Sequence, residues 1–170
     1  KKTIFDFIVL SPGINKDVCN LKKFLLINKS KIISDLDIFY FKNIQNLKIC
    51  ITGTNGKSTT SKIIHKILKN AGLDARLVGN IGQPILNEKK ITKKTVFVVE
   101  ISSYQIEYSK YFKSDIAAIL NIFPDHLDRH KTFSNYRKIK FKLLKNLHPG
   151  GTGLIEKNIF SNKDIKQKRT

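Results

Sequence analysis

Leu47-Lys48-Ile49-Cys50-Ile51-Thr52-Gly53-Thr54-Asn55-Gly56-Lys57-Ser58 sets three signals in a row. The apolar run Leu47 to Thr52 predicts a strand, and Gly53 to Lys57 reads as a glycine-bounded loop. Ser58 to Ala71 predicts a helix, because Ile63, Ile64, Ile67 and Leu68 recur at helical spacing and Gly72 stands where a helix stops. In such a loop the backbone N–H groups of Gly53, Thr54, Asn55 and Gly56, with the following helix N-terminus, can surround phosphate oxygens. Lys57 would neutralise the β and γ phosphates of ATP, and the Ser58 hydroxyl, with Thr59 beside it, would ligate Mg²⁺. Ile51 replaces the first glycine of the full GxxxxGK[ST] pattern, so the match is to the shorter GxxGK[ST]. The strand before and helix after supply the context that the short form needs.

Downstream of the loop the pattern repeats. Ala75 to Val78 predicts a strand leading into Gly79-Asn80-Ile81-Gly82, and Thr95 to Val99 predicts a continuous apolar strand ending in Glu100. Ser102 to Tyr108 reads as a short helix, Ile116 to Asn121 as a further strand, and a helix is expected from Phe133 to Leu147 after Pro124. Upstream the signals are weaker. Phe5 to Leu10 reads as a strand running into the turn Ser11-Pro12-Gly13, and residues 14–30 as a helix followed by a short strand. Ile32 and Ile33 end a strand, with Ser34 or Asp35 capping a helix through Phe41. Continuous apolar strands alternating with helices predict an α/β fold, a mostly parallel sheet with helices on both faces. The lysine-rich end, Lys163 to Arg169, is expected to fray.

Composition narrows the function. No apolar run reaches the roughly 18 residues that span a bilayer, so no membrane is expected as partner. The two cysteines, Cys19 and Cys50, have no metal-ligand spacing, and reduced thiols point to the cytoplasm. The formal charge of +19 is what a nucleic-acid binder would carry. Yet the basic residues are mostly lysines scattered through every segment, and arginine occurs only at 76, 129, 137 and 169, so no nucleic acid is expected as partner. With no methionine anywhere, even at position 1, the chain is expected to be a piece of something longer.

A second constellation follows the strands. Glu100, at the carboxyl end of a buried strand, is placed where open α/β sheets collect ligands, and its carboxylate suits Mg²⁺. Asn80, Ser102, Ser103 and Gln105, then Asp125-His126-Leu127-Asp128-Arg129-His130 and finally Lys140, each follow a predicted strand or lie on the helix beyond it. All can converge on one sheet edge. Zinc would want another clear ligand group.

Five blocks together resemble the Mur ligase family: Leu10 to Ile14, Gly53 to Thr60, Gly79 to Pro84, Glu100 to Glu107, and Leu120 to His130. Val78 and Phe123 depart from its usual pattern. The Asn-Ile-Gly and Ser-Ser-Tyr-Gln stretches look most like the D-glutamate-adding branch. The resemblance implies three domains, of which residues 1–45 would be the end of an N-terminal, Rossmann-like UDP-binding domain and 46–170 an incomplete central ATP-binding domain, the C-terminal domain being absent. It implies Lys57, Glu100, His126 and Lys140 as catalytic residues and Gly53 to Thr59 as the nucleotide loop. Ser58, Glu100, His126 and Lys140 would hold two Mg²⁺ ions, Lys140 as a lysine carbamylated by CO₂. Ser11, Pro12, Gly13, Asn80 and Ser102 would bind substrate.

The implied chemistry is ATP-driven amide formation through an acyl phosphate, joining D-glutamate to UDP-N-acetylmuramoyl-L-alanine in peptidoglycan synthesis, in a cytoplasmic monomer. The isolated piece would keep the phosphate cradle without being a competent ligase. The alternatives are another Mur ligase, a folylpolyglutamate synthase-like ligase, or an inactive basic nucleotide-binding remnant.

Overall fold

The computed structural model describes residues 5–159; the lysine-rich end lies outside the described residues. The first part of the chain forms β1 (Ile8–Val9), α1 (Lys22–Ile27) and β2 (Ile32–Ile33), with β1 and β2 paired in parallel. Residues 14–30, expected as a helix followed by a short strand, are irregular as far as Leu21, helical only over α1, and end in a 3₁₀ turn at Lys29–Lys31 where the strand was expected. Helix α2 (Asp35–Lys42) begins where the sequence placed it: Ser34 and Asp37 form a capping box, with Ser34 N–H donating to Asp37 Oδ2 at 2.9 Å.

The rest is a five-stranded parallel sheet. Its strands are β3 (Leu47–Thr52), β4 (Ala75–Gly79), β5 (Val96–Glu100), β6 (Ser114–Ile119) and β7 (Leu147–Ile155), in the order β4-β5-β3-β6-β7. Between them run α3 (Lys57–Asn70), α4 (Ser103–Tyr108), α5 (Leu127–His130) and α6 (Phe133–Lys145). Alternation along the strands divides the core. Cys50, Phe97, Val99 and Ala117 join Leu36 and Phe39 of α2, Ile106 of α4 and Leu143 of α6 on one face. Ile49, Ile51, Val96 and Ala118 pack against Ile64 and Leu68 of α3 on the other. Helices therefore lie on both faces, as predicted. Of the four apolar positions read on α3, Ile63 and Ile67 are exposed and only the Ile64–Leu68 stripe meets the sheet.

Strand β7 is a correction. The sequence reading extended the preceding helix to Leu147, whereas α6 stops at Lys145 and Leu147 starts a strand. Pro149, Gly150 and Gly151 hide the strand pattern. They fill an irregularity in which β6 partners jump from Leu147 to Thr152 between Ser114 and Ile116.

Helix α2 is tied to the sheet by a buried carboxylate. Asp37 accepts from Ser109 Oγ at 3.1 Å and from the N–H groups of Tyr111 and Phe112 at 2.7 and 2.8 Å, so it closes the turn between α4 and β6. Near the same amino-terminal end of the sheet Lys48 is fully buried; its ammonium donates to the carbonyls of Asn43, Ile44 and Asn46, and desolvation lowers its pKa. No helix among the described residues is long and apolar enough to cross a membrane.

Because all five strands are parallel, the loops after β3, β4, β5 and β6 leave from the same edge. From β3 the chain crosses towards β4, and from β6 it crosses the other way towards β7. The order thus reverses between the carboxyl ends of β3 and β6, where such sheets form a ligand crevice.

Candidate nucleotide site

The loop that leaves β3 carries Gly56 at φ +78°, a left-handed conformation that glycine adopts without strain, and this turn delivers the chain into α3. Thr60 N–H is the first to bond back along the helix, to Gly56 O at 3.0 Å. The amides of Gly56 to Thr59 accordingly form the open first turn, where the helix dipole favours an anion. Lys57 and Ser58 sit in this turn, as predicted, half-buried. Lys57 Nζ is folded back onto Thr54 O at 2.7 Å. Gly53 is close to β6: a Cβ there would stand 3.2 Å from Leu120 Cβ.

The amides of Thr54 and Asn55, expected to face phosphate, donate instead to a residue after β6. Thr54 N–H reaches Asn121 Oδ1 at 3.1 Å and Asn55 N–H reaches the same oxygen at 2.8 Å. Thr54 Oγ1 adds a 3.0 Å bond from Phe123 N–H and lies 3.1 Å from the Tyr136 hydroxyl. The sequence reading placed Asn121 only at a strand end and gave Tyr136 no role of its own. The signal that would have found them is their position after β6 and on α6, which matters only once β6 is known to neighbour β3.

Lys140 lies beneath the loop. Its side chain projects from α6 and is 1 % exposed, and Nζ donates to Gly53 O at 2.8 Å. Desolvation, reinforced by the charge of Lys57 and opposed by Asp125, brings its pKa down to about 7. Much of it is therefore free amine near neutral pH.

Glu100 ends β5, next to β3, and is fully buried. Asn80 Nδ2 donates to Glu100 Oε1 at 2.7 Å, while Oε2 is buried without a hydrogen-bond partner. A buried carboxylate oxygen left open is a fitting ligand for a hard cation. The sequence brings Asn80 and Glu100 only to a common sheet edge; the structure joins them by a direct bond.

His126 occupies the αL position just before α5 and is largely exposed, with its ring centroid 4.9 Å from that of Tyr104 and 6.4 Å from that of Tyr136. Through Tyr136 it reaches the phosphate loop. His130, one helical turn on, is buried, its Nε2 3.0 Å from Ser103 Oγ, and burial lowers its pKa. Among the described residues no three His, Cys, Asp or Glu side chains gather in the manner of a metal cluster. His126 is linked to the loop through Tyr136 and Thr54, and Glu100 stands beside β3 by strand pairing with Ile51.

Ser102 spends its hydroxyl on helix α4, accepting from Gln105 N–H at 3.3 Å. Ser11, Pro12 and Gly13 approach this edge from β1. Their turn is held at Ile14, whose carbonyl accepts from Tyr108 Oη and Arg129 Nη2, each at 2.9 Å. Arg129 also donates to Glu107 Oε2 at 3.0 Å and lies over the Tyr104 and Tyr108 rings. The sequence reading noted Arg129 without a task; here it links the Ser11–Gly13 turn to the helix that His126 precedes.

Comparison with known proteins gives the chain's family and fold. The Mur ligase middle domain model matches residues 51–169. The UDP-N-acetylmuramoylalanine--D-glutamate ligase of Alkaliphilus oremlandii is 41% identical over 142 residues, covering 83% of this chain and 31% of that protein. The ligase of the same name from Francisella tularensis subsp. novicida is 44% identical over 147 residues, covering 83% and 34%. The chain spans about a third of the length of these curated relatives. A solved structure of MurF ligase from Thermotoga maritima in complex with ADP superposes with a TM-score of 0.57 at 18% identity, covering 98% of this chain and 46% of that one. The UDP-N-acetylmuramate:L-alanyl-gamma-D-glutamyl-meso-diaminopimelate ligase of Neisseria meningitides gives 0.58 at 15%, covering 95% and 54%. At these identities the two structures speak for the fold.

Proposed function

The chain belongs to the Mur ligase family through its middle domain, and from that premise we propose that it is the nucleotide-binding part of an ATP-dependent ligase that adds D-glutamate to UDP-N-acetylmuramoyl-L-alanine. The observation that carries the reading is the open first turn of α3 at the switch point, with Lys57 in it, Lys140 beneath it and the half-satisfied Glu100 beside it. The Thermotoga ligase that shares the fold is in complex with ADP; in this chain the switch-point edge would take the nucleotide.

In this reading the four amides of Gly56 to Thr59 and the Lys57 ammonium neutralise the tail of ATP while the substrate carboxylate is aligned with the γ phosphorus. The oxygen of that carboxylate attacks in line, ADP leaves, and the amine of D-glutamate then displaces phosphate from the acyl phosphate. Mg²⁺ ions, held by Ser58, Glu100, His126 and a carbamate on Lys140, would supply further charge neutralisation at the phosphates. The free amine favoured by burial is the form of Lys140 that reacts with CO₂. Asn80, by gripping one oxygen of Glu100, orients the other. Ser11, Pro12 and Gly13 would meet the UDP-sugar, Asn80 and Ser102 its muramoyl end.

The domain division belongs to the same proposal, with the end of the UDP-binding domain in the first part of the chain. Leu36 and Phe39 lie in the central core, so α2, though it precedes residue 46, goes with the ATP-binding sheet. Since the chain covers about a third of its relatives, it should bind nucleotide without carrying the complete reaction.

Calorimetric titration of the chain with Mg·ADP tests the reading. Binding that disappears in Lys57→Ala is expected; no binding by the unmutated chain, or equal affinity in the variant, would overturn it.

A further inference from the structure

Asn121 stands half-buried just beyond β6 and meets the phosphate loop with both ends of its side-chain amide. Oδ1 accepts from Thr54 N–H at 3.1 Å and Asn55 N–H at 2.8 Å, and Nδ2 donates to Asn55 O at 3.1 Å. Its backbone carbonyl accepts from Thr54 N–H as well, at 3.1 Å. The pairing of one side-chain amide with both the N–H and the C=O of Asn55 needs a donor and an acceptor on the same side-chain carbon. An aspartate could only accept and an alanine could do neither. Two residues on, Phe123 N–H donates to Thr54 Oγ1 at 3.0 Å and Phe123 O accepts from it at 3.2 Å. The loop after β3 is therefore stitched to the loop after β6 along residues 121–123.

We propose that Asn121 is a positioning residue of the phosphate loop, holding the Thr54 and Asn55 amides inward so that the anion is taken by the amides of Gly56 to Thr59 alone. The inference rests on the nucleotide reading above and divides its loop in two: residues 54 and 55 are structural, residues 56–59 bind. It also joins the two sides of the site, because the segment that Asn121 begins runs on to His126 within five residues. Nucleotide held at α3 and the imidazole after β6 then share one rigid support. Without the Asn121 side chain the Asn55 peptide is free to turn towards water or phosphate, while Thr54 keeps the backbone carbonyl of residue 121, and the first turn of α3 loses its fixed entry.

Amide hydrogen exchange on the unmutated chain, free and with Mg·ADP, is the first test. In the free chain the Thr54 and Asn55 amides should already be protected, and added ADP should slow exchange at residues 56–59 and leave 54 and 55 unchanged. New protection at 54 and 55 on adding ADP would overturn the proposal, since it would mean that those amides turn to the phosphates. In Asn121→Ala the exchange of the Asn55 amide should quicken at least tenfold, that of Thr54, still bonded to the backbone carbonyl of residue 121, should change less, and the Mg·ADP dissociation constant should rise at least tenfold, while exchange in β3, β5 and β6 stays as it was. A merely structural role would loosen the strands too. Retained affinity in Asn121→Ala sinks the positioning role and leaves the nucleotide reading intact. Failure of the unmutated chain to bind Mg·ADP sinks both.

Discussion

Asn80 and Glu100 share a hydrogen bond of 2.7 Å at the carboxyl ends of neighbouring strands, and it satisfies one carboxylate oxygen and leaves the other, fully buried, with no partner. Folding has isolated a negative charge from water and completed only half of its bonding. Such a site costs stability unless a cation is to be bound there.

Glu100→Gln should accordingly raise the stability of the chain by about 1–2 kcal/mol, read by urea unfolding, because the buried charge is removed while the Asn80 bond can persist. The same variant should lose the Mg²⁺-dependent part of ADP affinity, measured by titration with and without the metal. Lowered stability together with unchanged Mg²⁺ dependence would count against the cation role.

Lys140 should form a carbamate. Incubation with ¹³C-bicarbonate should give a carbamate carbon resonance that Lys140→Ala lacks. The folded pKa of about 7 means that the reactive amine is abundant at pH 8 and protonated at pH 6, so the signal should fall as the pH drops through 7. A signal of equal strength in Lys140→Ala would reject the assignment.

Gly79→Ala should destabilise by about 2–4 kcal/mol in urea unfolding. The residue has φ +106°, and a Cβ would stand 2.3 Å from the carbonyl oxygen of Glu100, so either the strand end or the Asn80 turn must move. ADP affinity should fall with stability, since the displaced backbone carries Glu100 itself. A variant as stable as the parent would contradict the close packing of these strand ends.

His130 gives stability a pH dependence. Burial holds its folded pKa below the ordinary 6.5, with Glu107 opposing and Arg129, His126 and Lys140 reinforcing the shift. Above that value the ring is neutral in both states. As pH falls through it, the unfolded chain takes up a proton that the folded chain resists, and stability drops by at most about 1.4 kcal/mol per pH unit. Urea midpoints between pH 7.5 and 5 should therefore slope less steeply for His130→Gln than for the parent. Equal slopes would show that burial of this ring does not govern its titration.

The parts legible in the sequence were those written in local patterns. β3 is found from Leu47 to Thr52, as its apolar run predicts, and α3 starts one residue before the predicted Ser58, because glycine and helical periodicity act over a few neighbouring residues. The Ser34 cap of α2 follows for the same reason, and α4 starts one residue after the predicted Ser102, which caps it. β7 was not legible. Its Pro-Gly-Gly bulge breaks the period of two, and only pairing with β6 makes it a strand.

For this chain the order of residues alone determined a strand, a glycine loop and a helix able to meet phosphate, together with the carboxylate at the end of β5, since each depends on backbone preferences and burial within one segment. Tertiary structure decided which of those groups meet. That Asn121 grips the loop, that Lys140 lies dry beneath Gly53, and that Asn80 leaves half of Glu100 open all follow from strand order and register. Those long-range pairings place residues 20 to 87 positions apart within a hydrogen bond's length, which no local pattern encodes.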